Sequence, residues 1–288
     1  MREKGSLIID KPEKVCFFAV ADADNFKYGL TFWKSMVHFH DPNEITMLFY
    51  TSVKDKKELD KLPKGIIVVD LSPLLDDTMF YYRQKPIIAE SLLDQYDLVV
   101  GFDVDQIVLH RLDDILNIKT YDIGVVINWN RHDEKYYPLV ELGRIGIAPA
   151  EYFNCGMVAM RSKDFVHKWK MWCFSEQFNR CQYKEQDGLN ILAYSSNHNV
   201  WCFDMPTSKD APIHWYGIIA KGELVRAKVE EKQIIVPKGL GNTPFPPNDV
   251  ILHLIHLGGG QGAPKDNWSA FFQPEVWEYI QKEIINGK

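Results

Sequence analysis

The sequence predicts an α/β protein in which helices flank a mainly parallel central sheet on both faces. Over the first ~130 residues, short apolar runs of strand length alternate with segments of helical periodicity. Polar residues follow several of these runs, as expected where strands end at the ligand-binding edge of an open α/β sheet. The 288 residues, 46% of them hydrophobic, are enough to bury a substantial core and fit one large domain or two small ones.

The first half of the chain shows the alternation most clearly. Neither a G-x-G-x-x-G motif after the first strand nor a G-x-x-x-x-G-K-[ST] motif occurs, so neither a dinucleotide-binding fold nor a P-loop is supported. The pattern predicts strands over residues 15–21, 45–50 and 66–71, helices over residues 26–40 and 54–62 and a helix that ends at residue 93, and then the stretch 98–109.

The second half is less regular, and it contains no obvious interdomain linker. We therefore expect a single domain over residues 1–288, with a smaller mixed region toward the C-terminus. The predicted strands are 121–128, 152–160 and 250–256, and the predicted helices are 163–182, 185–192 and 274–285. The segment 129–149 reads as a polar loop and 258–262 as a glycine-rich turn, whereas 206–248 is rich in Pro, Gly and Lys and has no firm period.

Composition and charge exclude several classes of protein. The net charge of -6 argues against a general nucleic-acid-binding protein, which needs a basic face. The five cysteines form no C-x-x-C pair, and their odd number favours free thiols in a reducing compartment. No stretch reaches the roughly 18 apolar residues that span a bilayer, and the N-terminus does not read as a signal peptide. These features predict a cytoplasmic protein without a transmembrane segment.

The stretch 98–109 places two carboxylates between two apolar runs. Asp103 and Asp105 are two residues apart, so in an extended segment their side chains share a face. Like charges so close are costly unless a cation lies between them, which favours a divalent metal site at the end of a buried strand. The alternative is a pair of exposed loop carboxylates.

Three further motifs follow the D-x-D in a fixed order. They are Asn154-Cys155-Gly156, then Glu185-Gln186-Asp187, then His256-Leu257-Gly258-Gly259, with Lys265 and Trp268 close behind. This ordered set resembles the family 8 glycosyltransferases, the glycogenin-like and galactosyltransferase-like retaining enzymes, from residue 15 to about residue 268. The resemblance implies a GT-A fold, with residues 12–128 as the nucleotide-binding half and residues 129–288 as the acceptor and sugar-binding half.

Two departures from the family pattern stand out. Glu185 occupies a position where the family usually has Asp. The C-terminal lysine arrives late, as Lys265, and the family's Lys-Pro-Trp becomes Lys265-Asp266-Asn267-Trp268. The second departure affects the position of Lys265 more than the role of His256.

The resemblance implies that Asp103, Asp105 and His256 bind a divalent cation. Two carboxylates and a neutral imidazole suit manganese, and magnesium is the second candidate. His253 competes for the role of histidine ligand, although it lacks the glycine three positions later. A hydrogen-bonded structural histidine is the alternative for His256.

The same resemblance places the nucleotide donor against several loops. Ala21, Asp22 and Asn25 would bind the base and ribose, although Asp and Asn after a strand are also ordinary turn formers. The remaining donor contacts that it implies are Arg83, for which a surface salt bridge is the alternative, Val104, Asn154, Gly259 and Lys265, for which a solvated loop lysine is the alternative.

Glu185, Gln186 and Asp187 are the candidate catalytic residues, and with Asn154 they would line the sugar. Gln186 corresponds to the group beneath the anomeric carbon. Glutamine is a poor nucleophile, which favours a same-face displacement in which the leaving phosphate accepts the proton of the acceptor. The alternative for the three residues is a helix N-terminus with favourable carboxylates.

Three functions from different classes fit these observations. The leading hypothesis is a retaining, metal-dependent glycosyltransferase that moves glucose or galactose from a UDP-sugar to a hydroxyl acceptor, a glycan or another compound. A haloacid-dehalogenase-type phosphatase also uses D-x-D, but on its first strand, whereas this motif comes ~100 residues into the chain. A non-catalytic nucleotide-sugar-binding protein of the same fold is the third. The acceptor and the oligomeric state stay open.

Overall fold

A seven-stranded sheet forms the centre of the protein, in a computed structural model that describes residues 13–75, 80–128, 142–143, 146, 151–205, 211–217, 224–238, 248–256 and 268–287. The predicted α/β class is confirmed. The strands are β1 (Val15–Ala21), β2 (Thr46–Thr51), β3 (Ile66–Asp70), β4 (Leu98–Phe102), β5 (Gln106–Val108), β6 (Ile123–Ile127), β7 (Phe153–Met160), β8 (Val200–Cys202), β9 (Ile213–Trp215), β10 (Lys228–Glu230), β11 (Gln233–Val236), β12 (Val250–Leu252) and β13 (Leu254–His256).

Helices cover both faces of this sheet. None of the helices in the described ranges combines the length and the apolar character needed to cross a membrane. They are α1 (Phe26–Phe39), α2 (Lys56–Leu59), α3 (Gln84–Leu92), α4 (Asp113–Asn117), α5 (Lys163–Cys173), α6 (Glu176–Arg180), α7 (Glu185–Ser195) and α8 (Pro274–Tyr279), which continues as a π-helical segment over Ile280–Ile285.

The strand order β3-β2-β1-β4-β7-β6-β8 gives the sheet one functional edge. Strands β3, β2, β1 and β4 are parallel, β7 is antiparallel to both β4 and β6, and β8 is parallel to β6. Six strands therefore end at the same edge, and β7 begins there. This is the edge at which open α/β sheets bind their ligands.

Alternate residues of the central strands pack into two separate cores. Phe18 and Val99 face one side, with apolar side chains of α3, α5 and α7. Phe17 and Val100 face the other side, with α1 and α4. Because every central strand is apolar on both faces, the sheet is buried between two helical layers, and this explains the continuous apolar runs in the sequence.

Two smaller sheets form the C-terminal part. Strands β10, β11, β12 and β9 build a four-stranded sheet, and β13 pairs antiparallel with β5. A third core, which includes Ile234, Val250 and Val276, joins the four-stranded sheet to α8. The smaller mixed C-terminal region that we predicted is thus attached to the segment directly after the D-x-D motif.

Two long predicted elements are each broken in the structure. The predicted helix 163–182 is two helices, because Ser175 Oγ donates to the carbonyl oxygen of Trp172 at 2.7 Å and closes the end of α5. The predicted strand 250–256 is two strands in different sheets. At the break, the N–H of His253 donates to the carbonyl oxygen of Trp215, and its own carbonyl oxygen accepts from the N–H of Leu109.

Candidate active site

The polar motifs of the sequence meet at the functional edge of the large sheet. Asp103 directly follows β4, and its N–H donates to the carbonyl oxygen of Gly156 in β7 at 2.7 Å. Because β13 pairs with β5, its last residue, His256, lies beside the segment that carries Asp105. Three strands from distant parts of the sequence therefore supply one cluster.

Asp103, Asp105 and His256 form a group that could hold a metal ion. Each offers one ligand atom, and these atoms all lie within 4.8 Å of one another. Nε2 of His256 lies 3.1 Å from Asp105 Oδ1 and 3.4 Å from Asp103 Oδ2. Two carboxylate oxygens and one imidazole nitrogen are a donor set that fits manganese, and magnesium less well.

Asn154 and Gly156 orient the imidazole of His256. The N–H of Gly156 donates to Asn154 Oδ1 at 2.7 Å, and this hydrogen bond fixes the direction of the side-chain oxygen. His256 Nδ1 lies 3.1 Å from the same oxygen and must therefore carry a proton there, which leaves Nε2 directed at the two aspartates. A side chain on Gly156 would lie 2.3 Å from His256 Nδ1, so only glycine fits.

Lys85 is a site residue that the sequence reasoning missed. Its side chain is 2% exposed, donates to Asp103 Oδ1, and lies 3.9 Å from Glu185 Oε1. Burial lowers the pKa of Lys85, but the attraction of Asp103 and Glu185 outweighs it and raises the pKa above its ordinary value, so the ammonium stays charged. Lys85 lies on the buried stripe of α3 with Ile88, Ala89 and Leu92, and this spacing was the available signal.

Burial and the two carboxylates also have opposite effects on the pKa of His256. Desolvation lowers the pKa of His256, yet the attraction of Asp105 and Asp103 is larger, and the net pKa lies above its ordinary value. The cluster thus carries two acidic groups, a charged lysine and an imidazole that the acids favour in its protonated form. A divalent cation offers the acids the same compensation.

Glu185 begins α7 and is buried against Lys85. The residue is 8% exposed, and its Oε2 has no hydrogen-bond partner among the described residues. Burial raises the pKa of Glu185 to about 7, against the opposing attraction of Lys85. A buried carboxylate with an unused oxygen is prepared to accept a hydrogen bond from a ligand.

Gln186 and Asp187 are held by β7 and by the loop before α7. Gln186 Oε1 accepts from Asn154 Nδ2 at 3.1 Å and from the N–H of Cys155 at 2.9 Å. Asp187 is fully buried, and it accepts from the Tyr152 hydroxyl at 2.5 Å and from the N–H of Tyr183 at 3.0 Å. Both oxygens of Asp187 are therefore engaged by the protein itself, and Tyr152 is a second residue that the sequence reasoning missed.

The loop after β1 has the geometry of a turn. Asp22 Oδ1 accepts from the N–H of Asn25 at 2.9 Å and from its Nδ2 at 2.7 Å, directly after the buried end of the strand at Ala21. Asp22 and Asn25 thus form a turn, as the alternative interpretation predicted, and the loop lies at the functional edge. The nucleotide contacts of these three residues stay a prediction.

Arg83 and Val104 lie in different surroundings. The guanidinium of Arg83 lies over the rings of Phe174 and Phe178, at 4.6 and 4.7 Å from their centroids. Val104 is buried in the core beside α1. The donor contacts assigned to Gly259 and Lys265 lie outside the described residues, and the donor contacts of Arg83 and Val104 stay predictions.

The two candidate histidine ligands have different contacts. His253 Nδ1 lies 2.6 Å from the carbonyl oxygen of Arg111, and its Nε2 lies 2.8 Å from His214 Nδ1. Burial lowers the pKa of His253 to about 4. Both of its nitrogens are engaged elsewhere, whereas His256 lies at the aspartates.

Of the comparisons with known proteins, only that with solved structures finds matches, and those matches show the fold. No family model matches the chain, and no curated protein sequence matches it. A solved structure of the galactosyltransferase LgtC, in complex with donor and acceptor sugar analogs, is 19% identical with a TM-score of 0.55, and the match covers 92% of this chain and 99% of that chain. An active-site mutant of LgtC is 18% identical with a TM-score of 0.57 over the same shares of both chains.

A larger protein shows the same likeness. The apo structure of the bifunctional glycosyltransferase WbbM is 13% identical with a TM-score of 0.56, and the match covers 91% of this chain and 49% of that chain. At these identities the likeness shows the fold. It confirms the predicted GT-A fold, and it confirms the resemblance to family 8 glycosyltransferases at the level of the fold.

Proposed function

We propose that this protein is a retaining, metal-dependent glycosyltransferase that moves a hexose, glucose or galactose, from a UDP-sugar to a hydroxyl of a glycan or another acceptor. The observation that carries the proposal is the meeting of Asp103, Asp105 and His256 at the functional edge, directly beside the buried Lys85 and Glu185. Nucleotide-sugar transfer needs a cation for the diphosphate and fixed polar groups for the sugar, and these two sets lie side by side here.

Contacts within the protein hold the metal-binding side chains in place without a bound cation or donor. Asp103, Asp105 and His256 would bind Mn²⁺, or Mg²⁺, and a cation bound there would stabilise the charge that develops on the departing diphosphate. Lys85 donates to the other oxygen of Asp103 and so fixes the carboxylate. Asn154 fixes the imidazole through Nδ1.

The sugar would lie against α7 and the start of β7. Glu185 supplies an acceptor for a sugar hydroxyl, since its Oε2 is buried without a partner in the described part of the chain. A buried polar group left unmatched costs roughly 1–3 kcal/mol, so a sugar that supplies the hydroxyl is preferred over one that lacks it. We assign Asp187 a positioning role, because its hydrogen bond to Tyr152 holds β7 against α7.

We take retention of configuration from the resemblance to family 8 glycosyltransferases, and the state of Gln186 favours one route to it. Its Oε1 accepts two hydrogen bonds and is the oxygen of a neutral amide, so it is a poor nucleophile. We favour attack by the acceptor on the same face that the phosphate leaves. The bond from the anomeric carbon to the phosphate oxygen breaks, the bond to the acceptor oxygen forms, and the acceptor proton moves to the phosphate.

The remaining assignments complete the proposal. Residues 12–128 bind the nucleotide, with Ala21, Asp22, Asn25, Arg83 and Val104 as contacts, and residues 129–288 bind the sugar and the acceptor. Gly259 and Lys265 contact the diphosphate. All five cysteines are free thiols, which supports a reducing, cytoplasmic location.

The alternatives are less well supported. A haloacid-dehalogenase-type phosphatase would carry its D-x-D on the first strand, whereas this motif follows β4. A non-catalytic nucleotide-sugar-binding protein would have the same donor site, and only turnover distinguishes it from an enzyme.

A ligand screen with a matched pair of variants tests the proposal. UDP-glucose or UDP-galactose with Mn²⁺ should raise the melting temperature of the wild type, because a ligand that binds the folded state stabilises it. The Asp105→Ala variant should lose this shift, and the Asp60→Ala variant, which removes an exposed carboxylate after α2, should keep it. Slow Mn²⁺-dependent hydrolysis of the donor should accompany binding.

Two results would contradict the proposal. A shift with GDP- or CMP-sugars alone would exclude UDP as the nucleotide. Donor binding without hydrolysis or transfer to any hydroxyl acceptor would favour the non-catalytic binding protein.

A further inference from the structure

Gln106, the residue after Asp105, is buried in an unusual state. It is 1% exposed, and neither its Oε1 nor its Nε2 has a hydrogen-bond partner among the described residues. An amide that is buried with both ends unmatched opposes folding, and proteins rarely keep one without a reason. The state of Gln106 therefore points to a partner other than the described residues.

The strand register shows which way the Gln106 side chain points. Gln106 pairs directly with His256 in the antiparallel ladder of β5 and β13, and directly paired residues project to the same face. The next two pairs verify the alternation. Ile107 and Ile255 share the C-terminal core, whereas Val108 and Leu254 share the core beside α1. Gln106 and His256 thus both project to the face of Val108 and Leu254.

The chemistry of an amide defines the missing partner. Oε1 only accepts hydrogen bonds and Nε2 only donates them. A water bound to a divalent cation is a donor, because its lone pair is directed at the metal, and an oxygen of a diphosphate is an acceptor. A cation together with a diphosphate offers both a donor and an acceptor, whereas the cation alone offers only the donor and the diphosphate alone only the acceptor.

We propose that Gln106 is a binding residue of the loaded metal centre, whose amide pairs with a cation-bound water and with a diphosphate oxygen. This inference rests on the proposed function and adds a residue to it. It makes Gln106 a source of cooperativity, because the amide is satisfied in full only when cation and nucleotide diphosphate are bound together. Binding of Mn²⁺ should then tighten binding of UDP, and the gain should depend on this side chain.

The test compares Gln106→Met with the wild type, using Mn²⁺ alone, UDP alone and both together as probes in titration calorimetry. Methionine keeps the volume of glutamine and removes the amide. We expect UDP affinity in saturating Mn²⁺ to fall about tenfold or more, with a smaller change for either probe alone. The empty variant should melt at the same temperature as the wild type or at one roughly 2–4 °C higher, because an unmatched polar group has been removed.

A control variant at the adjacent position guards against general damage to β5. Ile107→Met alters the opposite face of the same strand and should leave the mutual enhancement of Mn²⁺ and UDP unchanged. A lower melting temperature of empty Gln106→Met would overturn the inference, since the amide would then have a partner in the unloaded protein. Wild-type affinity for UDP with Mn²⁺ in that variant would overturn it as well. Failure of the wild type itself to bind UDP with Mn²⁺ would instead refute the proposed function.

Discussion

At the scale of single residues, the orientation of His256 depends on a glycine. Asn154 Oδ1 receives both the N–H of Gly156 and Nδ1 of His256, at 2.7 and 3.1 Å. This arrangement requires close approach of the imidazole to the backbone of β7, and a side chain on Gly156 would occupy the same space. The N-x-G motif therefore has a packing reason that is separate from any contact with a ligand.

We predict that Gly156→Ala weakens Mn²⁺ binding by at least about tenfold, because the new methyl group displaces the imidazole from the two aspartates. The overpacked site should also lower the free energy of unfolding by about 1–3 kcal/mol. Titration calorimetry with Mn²⁺ measures the first effect and urea denaturation the second. Gly143→Ala is the matched control, since a side chain at Gly143 would have none of the described residues within 4 Å. Unchanged Mn²⁺ affinity in Gly156→Ala would refute the role of His256.

The same scale shows where sequence reasoning reaches its limit. Asp103, Asp105 and His256 could be proposed because their motifs occur in order along the chain. Lys85 and Gln106 were missed, because a lysine or a glutamine in a predicted helix or strand is ordinarily exposed, and for Lys85 its spacing with Ile88, Ala89 and Leu92 was the available signal. Their burial is caused by groups far away in the sequence, such as Glu185 for Lys85.

At the scale of elements, strand β8 was not predicted, because its three residues are partly exposed. Strands β1, β2, β4, β6 and β7 of the large sheet were predictable because they are buried on both faces and read as continuous apolar runs. The break between β12 and β13 was not, because an apolar run carries no sign that the chain changes sheets at His253. The side chain of His253 stabilises the break. Its Nδ1 meets the carbonyl oxygen of Arg111 and its Nε2 meets His214, so one residue connects β9, β12 and the segment after β5.

This junction predicts a pH-dependent stability. Burial lowers the pKa of His253 to about 4 from the ordinary 6.5. Between those two pH values the unfolded chain binds more protons than the folded chain, so the contribution of His253 to stability increases as pH rises. The contribution is complete above the unfolded value and is lost as pH falls toward about 4.

We predict that His253→Gln reduces the slope of unfolding free energy against pH between pH 4.5 and 6 by up to about 1.4 kcal/mol per pH unit. Urea denaturation of the metal-free protein across this range measures the slope. An identical slope for His253→Gln and the wild type would show that His253 is free to protonate in the folded state.

At the scale of the whole molecule, the candidate metal site joins two parts of the fold. Asp103 follows β4 in the large sheet, whereas His256 ends β13, which pairs with β5 and continues from the four-stranded sheet through His253. A cation held by both residues would connect these sheets directly. Its effect on stability should therefore be concentrated where they meet.

Hydrogen exchange with and without Mn²⁺ and UDP tests this connection. We predict that the ligands slow exchange of the amides of β5 and β13 up to about 100-fold at a ligand concentration 100 times the dissociation constant, because local opening of this ladder must release the cation. Exchange at the outer strands β3 and β10, which lie at the sheet edges, should change far less. In the Asp105→Ala variant, the same ligands should not slow exchange of the amides of β5 and β13. Equal protection of β3, β10 and β13 would indicate a general effect of the ligands on the fold, and it would refute a cation that links the large sheet to the C-terminal strands.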